Sequence, residues 1–196
     1  MLDVKRLKIY SPKILVEKLK VSDGETLKIE GSSGSGKSSL LLALMGLKKF
    51  SCESFSYNGE VVKSLHAEKD DVAFISQHTI TADQKVEAFI RTVLSYKKNR
   101  GVKFRPWIFE EFDKIEIMKR PLATLSGGEK QLVSISILEC LSPRLVLLDE
   151  AFSAMDRATD ERLWKLMEKW FKERAVIYTA HNPISLDKIK NETIEL

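Results

Sequence analysis

The stretch Gly31-Ser32-Ser33-Gly34-Ser35-Gly36-Lys37-Ser38 has the spacing G-x-x-x-x-G-K-[ST]. Its glycines and serines let the backbone curl until successive N–H groups converge, and a helix beginning near Lys37 adds the partial positive charge of its N-terminus. Such a cradle suits a phosphate. Lys37 is placed to reach the outer phosphates of a nucleoside triphosphate, the Ser38 hydroxyl to hold Mg²⁺, and Ser39 lies beside it. A flexible Gly/Ser linker is the other reading, but a linker has no need of a lysine followed by Ser-Ser-Leu-Leu-Leu. A second centre is Leu145-Val146-Leu147-Leu148-Asp149-Glu150, an apolar run that delivers two carboxylates at its end. There Asp149 is expected to hold Mg²⁺ through water, and Glu150 to orient or deprotonate an attacking water. A third is Ser126-Gly127-Gly128-Glu129. Ser-x-x-Glu before an apolar run reads as a helix capping box. Two glycines in the first turn nevertheless cost about 1 kcal/mol each relative to alanine, so they point to a close approach of the backbone to a ligand.

These groups need elements to carry them. Glu25 to Glu30 alternates and predicts the strand entering the glycine loop, and Lys37 to Leu47 predicts the first helix. Val4 to Tyr10 and Ile14 to Leu19 predict strands joined at Ser11-Pro12, and Phe55 to Val62, centred on Asn58-Gly59, predicts a hairpin. Tyr10 is the one aromatic residue before Phe50, suited equally to stacking on a base or to packing in a sheet. Val72–Ile75, Leu145–Leu148 and Ala175–Tyr178 are continuous apolar runs that predict buried strands. Helical spacing recurs over Asp83–Asn99 and Pro106–Met118. In the second of these Ile108, Phe112 and Ile115 form the inward stripe, while Trp107 and Phe109 flank it and are expected to be exposed as a docking surface, the other reading being that both rings fold back under Val102 to Arg105. A helix from Leu125 to about Leu141 is stopped by Ser142-Pro143, and Asp156 begins another with Leu163, Leu166, Met167, Trp170 and Phe171 on one face. A short helix over Ile184–Ile189 and a strand over Thr193–Leu196 close the chain.

The 196 residues are 43% hydrophobic and 31% charged, which fits one α/β domain and excludes a disordered chain. Cys52 and Cys140 form no Cys-x-x-Cys pattern, and His66, His78 and His181 are scattered, so neither a disulfide framework nor a zinc cluster is indicated. No apolar run approaches the ~20 residues of a membrane span, and no signal peptide opens the chain. The net charge of +4 permits contact with acidic lipid headgroups or nucleic acid and implies neither.

With these motifs in this order, the chain resembles the nucleotide-binding subunit of ATP-binding cassette (ABC) transporters from end to end. Leu125-Ser126-Gly127-Gly128-Glu129-Lys130-Gln131 is similar to that family's signature motif, Ser153-Ala154-Met155-Asp156 to its D-loop, Gln77 to its Q-loop glutamine, His181 to its switch histidine, and Tyr10 to its A-loop aromatic. The resemblance implies one P-loop NTPase domain of ABC type over residues 1–196. It would have a mostly parallel core sheet, an N-terminal antiparallel β-subdomain and an inserted helical subdomain at about 78–125. It implies ATP and Mg²⁺ as cofactors, with Tyr10 on adenine, Gln77 reaching the metal and water, and His181 contacting the γ-phosphate. Ser126, Gly127 and Gly128 would act on the nucleotide of a second such subunit, and Asp156 is a further nucleotide-binding residue. A membrane-spanning subunit is the further partner, nucleic acid is not expected, and the location is the cytoplasmic face of the cell membrane. Two departures from the family pattern are Leu132, where many relatives have arginine, and Met155 in place of the usual leucine. A soluble single-cassette ATPase of cofactor or complex assembly stays open beside the transporter subunit.

Overall fold

The computed structural model describes residues 1–68, 71–76, 82–96, 101–180 and 191–196. Two compact units emerge from the contacts: Met1–Gln77 with Pro143–Ser153 and Arg157–Leu196, and His78–Ser142 with Ala154–Asp156.

The first unit holds two sheets. β1 (Leu2–Ile9) and β2 (Ile14–Val21) pair antiparallel, and β1 also pairs β4 (Phe50–Ser51) and β5 (Ser54–Tyr57). β5 continues through Asn58 and Gly59, both at positive φ, into β6 (Glu60–Val61), as the hairpin signal predicts. β1 and β2 break their alternation at the same place. Lys5-Arg6 and Glu17-Lys18 are exposed side by side, and Arg6 takes φ 48, so Leu2, Val4, Leu7 and Ile9 still face the core with Ile14, Val16, Leu19 and Val21.

The second sheet is parallel, ordered β10 (Asn191–Glu195), β3 (Thr26–Glu30), β9 (Ala175–Thr179), β8 (Leu145–Asp149), β7 (Val72–Ile75). All five residues of β8 and of β9 are buried, as apolar runs in a covered parallel sheet must be. α1 (Lys37–Leu44) buries Leu40, Leu41, Ala43 and Leu44 in the same core as both sheets. It stops three residues short of the expected Leu47 because the N–H groups of Gly46 and Leu47 turn back onto the Ala43 and Leu42 carbonyls. α5 (Arg157–Lys172) buries Leu163, Met167 and Phe171 as expected and adds Trp164, stacked on Phe171, while Leu166 and Trp170 are half-buried.

The second unit is helical: α2 (Val86–Ser95), α3 (Trp107–Glu111), two 3-10 turns and α4 (Gly127–Leu141). The single helix expected over Pro106–Met118 is broken. Asp113 takes φ 51, its N–H bonds the Glu110 carbonyl at 3.1 Å, and the Lys114 N–H bonds the Phe109 carbonyl at 2.8 Å, a Schellman stop made without glycine. The break cuts Ile115 off from the helix that carries Ile108. Ile108 and Phe109 are both fully buried, Phe109 lies against the Phe104 ring at 6.0 Å, and Ile115 is 46% exposed. The expected Ile108–Phe112–Ile115 stripe and the outward docking role of Phe109 are therefore corrected: Phe109 is a core residue, and Trp107 is half-buried. Among the described residues no helix is long and apolar enough to cross a membrane.

Candidate nucleotide site

In the first unit β3 leads directly into the glycine loop, and α1 leaves it. Gly36 is the N-cap residue at φ 105, a conformation side chains rarely take, and a Cβ there would lie 2.3 Å from Ile14 Cδ1. The turn that follows β1 is thereby packed against the loop. No side chain caps α1, so its first-turn N–H groups are offered to whatever occupies the cradle. Ser35 Oγ is buried with no hydrogen-bond partner among the described residues. Lys37 is 6% exposed and donates to the Gly31 and Ser32 carbonyls at 2.9 and 3.1 Å, and no carboxylate pairs it among the described residues. Uncapped donors, an orphaned hydroxyl and a buried cation without a counter-charge together fit a phosphate group. Ser32, Ser33 and Gly34 are exposed at the loop's crest, Gly31 is half-buried, and the Ser39 hydroxyl accepts from Lys48 at 3.0 Å.

The acidic end of β8 is brought to this loop. Ser38 Oγ donates to Asp149 Oδ1 at 3.0 Å although the residues stand 111 positions apart. Two hard oxygen donors held side by side fit a small divalent cation such as Mg²⁺. A residue with no part in the sequence reading completes the arrangement. Thr179 ends β9, which lies between β3 and β8, in register with Ile29 and Asp149. Its buried hydroxyl donates to Asp149 Oδ1 at 2.9 Å and accepts from the Glu150 N–H at 3.0 Å. The one sequence signal for it was a hydroxyl closing an otherwise apolar strand. Glu150 itself takes φ 52, a left-handed conformation that costs a non-glycine residue about 1–3 kcal/mol and gathers at functional sites.

Tyr10, just beyond β1, is 59% exposed, with its hydroxyl 3.0 Å from Ser51 Oγ and the Lys8 ammonium 5.4 Å from the ring centroid. An exposed ring braced at its edge is ready for a flat partner. Stacking on a base is worth roughly 1–3 kcal/mol, so Tyr10→Ala is expected to weaken ATP binding about 5- to 150-fold by titration calorimetry. Unchanged affinity would leave Tyr10 a plain sheet residue. Gln77 and His181 lie outside the described residues.

In the second unit Ser126 caps α4, and both halves of the capping box form: Glu129 N–H to Ser126 Oγ at 3.2 Å, and Ser126 N–H to Glu129 Oε2 at 2.9 Å. Ser126 is exposed, and its hydroxyl proton remains for a further acceptor. The glycine pair has a reason within the unit. A Cβ on Gly127 would lie 2.8 Å from Ala154 Cβ, and one on Gly128 would lie 3.1 Å from the Ala154 carbonyl oxygen. Ala154 is tied there by its N–H to the buried Gln131 side chain at 3.1 Å, another contact that sequence reasoning missed. Asp156, two residues on, is exposed.

Lys114 and Arg120 reach Glu129 Oε1 at 3.2 and 3.3 Å. Burial alone would raise the Glu129 carboxyl. The Ser126 N–H and the two cations outweigh it and hold the group below its ordinary value. A depressed folded value means that this box contributes fully above the unfolded-state value and is lost as pH falls through the folded one. Glu129→Gln should therefore flatten the acid limb of a stability–pH curve followed by urea melts at constant salt. A limb of unchanged slope would show that Glu129 does not contribute.

The profile described as ABC transporter matches residues 17–153. The chain belongs to the ABC transporter family. It is similar to the molybdate/tungstate import ATP-binding protein WtpC of Thermococcus kodakarensis, 35% identical over 158 residues that cover 78% of this chain and 48% of that one. It is also similar to the sulfate/thiosulfate import ATP-binding protein CysA of Bradyrhizobium diazoefficiens, 28% identical over 90% of this chain and 54% of that one. The chain thus spans about half the length of the curated relatives it matches. A solved ATP-binding subunit of an ABC transporter superposes over 100% of this chain and 85% of its own with a TM-score of 0.82 at 21% identity, which establishes the shared fold.

Proposed function

We propose that this chain is the ATP-binding and ATP-hydrolysing subunit of a membrane transporter, working as one ATPase domain over residues 1–196 with a helical subdomain at about 78–125. The Ser38–Asp149 contact at 3.0 Å carries the reading, because it joins the phosphate cradle to a metal-competent carboxylate. Lys37, the loop N–H groups and Ser35 would hold the phosphates, with Ser32, Ser33 and Ser39 around them. Tyr10 would hold the adenine. Ser38 and Asp149, with Gln77, would hold Mg²⁺, which when bound supplies charge neutralisation on the phosphates. Thr179 keeps Asp149 turned toward Ser38 and fixes the Glu150 backbone, so that Glu150 can take a proton from water; His181 would contact the γ-phosphate. Ser126, whose hydroxyl proton is uncommitted, would donate with Gly127 and Gly128 to the nucleotide of a second subunit, with Asp156 beside it. Two subunits then close head to tail on ATP and part after hydrolysis, driving a membrane-spanning partner from the cytoplasmic side.

The import subunits among the relatives support transport over the assembly-ATPase reading. The test is phosphate release with and without Mg²⁺ for the purified chain, with fractionation of the cells that express it. Hydrolysis that needs Mg²⁺, from a chain recovered with membranes, is expected. Equal release in EDTA would overturn the ATPase, and a chain never recovered with membranes would overturn the transporter.

A further inference from the structure

The charge of this chain is gathered in one place. Lysine and arginine number 32 and aspartate and glutamate 28 over the whole sequence. Residues 1–21 hold six of the cations, Lys5, Arg6, Lys8, Lys13, Lys18 and Lys20, and two of the carboxylates, Asp3 and Glu17. That leaves 26 of each sign elsewhere, so the first two strands and their turn account for the whole net charge of +4.

β1 and β2 lay these groups on one surface. Apart from Leu15 their apolar side chains are buried, and the outward residues face each other in register: Lys5 opposite Lys18, Lys20 opposite Asp3, Lys8 opposite Leu15. Leu15 is 55% exposed, and the outward residues of the neighbouring β5 are the uncharged Ser54 and Ser56. The ion pair of this face among the described residues is Arg6–Glu17 at 3.7 Å, and Lys5, Lys18 and Lys20 have none. Like charges directly opposite across two strands destabilise the pair. The core beneath does not require lysine at either position, so the repulsion is a standing cost that an anionic partner would relieve.

We infer that the outer face of β1 and β2 is a docking surface for an anionic phospholipid bilayer. Four of the five cations on the strands are lysines, compact point charges without the guanidinium fork that grips one carboxylate or phosphate in two places. Such charges suit a diffuse field of headgroups. The aromatic ring beside this face is Tyr10, in the turn between the strands, and one ring gives no run of stacking platforms for a nucleic acid, while the exposed Leu15 offers apolar contact at the headgroup level. A chain balanced everywhere else has its positive pole here, so an anionic surface would orient it with this face inward. The inference goes beyond the nucleotide site and does not depend on hydrolysis.

The test uses the full chain and sedimented vesicles, either phosphatidylserine with phosphatidylcholine or phosphatidylcholine alone, at 0.1 M salt. Binding to the anionic vesicles only, weakening with salt, is expected. Lys5→Gln/Lys18→Gln/Lys20→Gln should lower partitioning on the order of 100-fold, since each basic residue near such a surface contributes roughly a factor of five. The same three positions changed to arginine should keep it, and so should the charge-matched control Lys119→Gln/Lys165→Gln/Lys169→Gln. ATP affinity should be unchanged in all of them, and the melting temperature of the first variant unchanged or raised. Equal loss in the control, no anionic binding at all, or tighter binding to polyglutamate or to an oligonucleotide than to vesicles would each overturn the proposal.

Discussion

Glu150→Gln is expected to cut ATP hydrolysis by about 100- to 10,000-fold, the range of a lost general base, while leaving ATP binding in place. The backbone explains why the residue can be exchanged without losing its position. Glu150 holds its left-handed φ of 52 because its N–H is committed to Thr179 Oγ1 and its carbonyl accepts from the Ser153 N–H at 3.0 Å. Glutamine keeps the shape and both backbone bonds but cannot take a proton. ATP should then persist, and with it the closed pair of subunits. Size exclusion with ATP and Mg²⁺ should show a species of twice 22.3 kDa that the unmodified chain forms only transiently. Hydrolysis within a few-fold of the unmodified chain would remove Glu150 from the base role, whatever the oligomer. Loss of ATP binding would point instead to collapse of the β8 end.

The parts of this site that sequence reading captured are those written locally. The glycine loop, the helix after it and the acidic end of β8 each lie within eight consecutive residues, and their spacing states their geometry. Thr179 escaped because its role exists only across strands. Nothing in Ala175–Thr179 says that β9 lies between β3 and β8, so nothing marks its hydroxyl as the brace of Asp149 and Glu150. The glycine pair was half legible. The cost of two glycines in a helical turn called for a close approach to a ligand, and within the second unit the close neighbour is Ala154, held by Gln131. The misplacement of Ile115 has a similar origin. Helical spacing assumes a continuous helix, and the stop at Asp113 was invisible without a glycine or proline to announce it. The lysines of β1 and β2 were visible in the composition as a small excess, but only the pairing of Lys5 with Lys18 turned that excess into a face.

Lys37→Ala should abolish the response to nucleotide more completely than any change at the loop's serines. Lys37 is an ammonium group almost wholly withdrawn from water. Two backbone carbonyls accept hydrogen bonds from two of its three N–H groups, and among the described residues no carboxylate balances its charge. A buried charge in that state is costly unless something supplies the opposite sign, and the incoming phosphates do. One N–H remains for the phosphates, and a hydrogen bond between charged groups contributes roughly 1.5–3 kcal/mol, so losing it puts the fall in ATP affinity at about 10- to 150-fold. The effect on the empty protein should be small, because two opposed changes meet there. The Gly31 and Ser32 carbonyls lose their donor, while the uncompensated buried charge disappears. Thermal melts separate these quantities. Saturating ATP raises the melting temperature of the unmodified chain by mass action, whereas the variant should melt near the unmodified empty chain and gain nothing from ATP. A variant still stabilised by ATP would show that the loop N–H groups suffice and that Lys37 serves the loop's own fold. A variant that melts far lower without ATP would show that its bonds to Gly31 and Ser32 outweigh the unpaired charge.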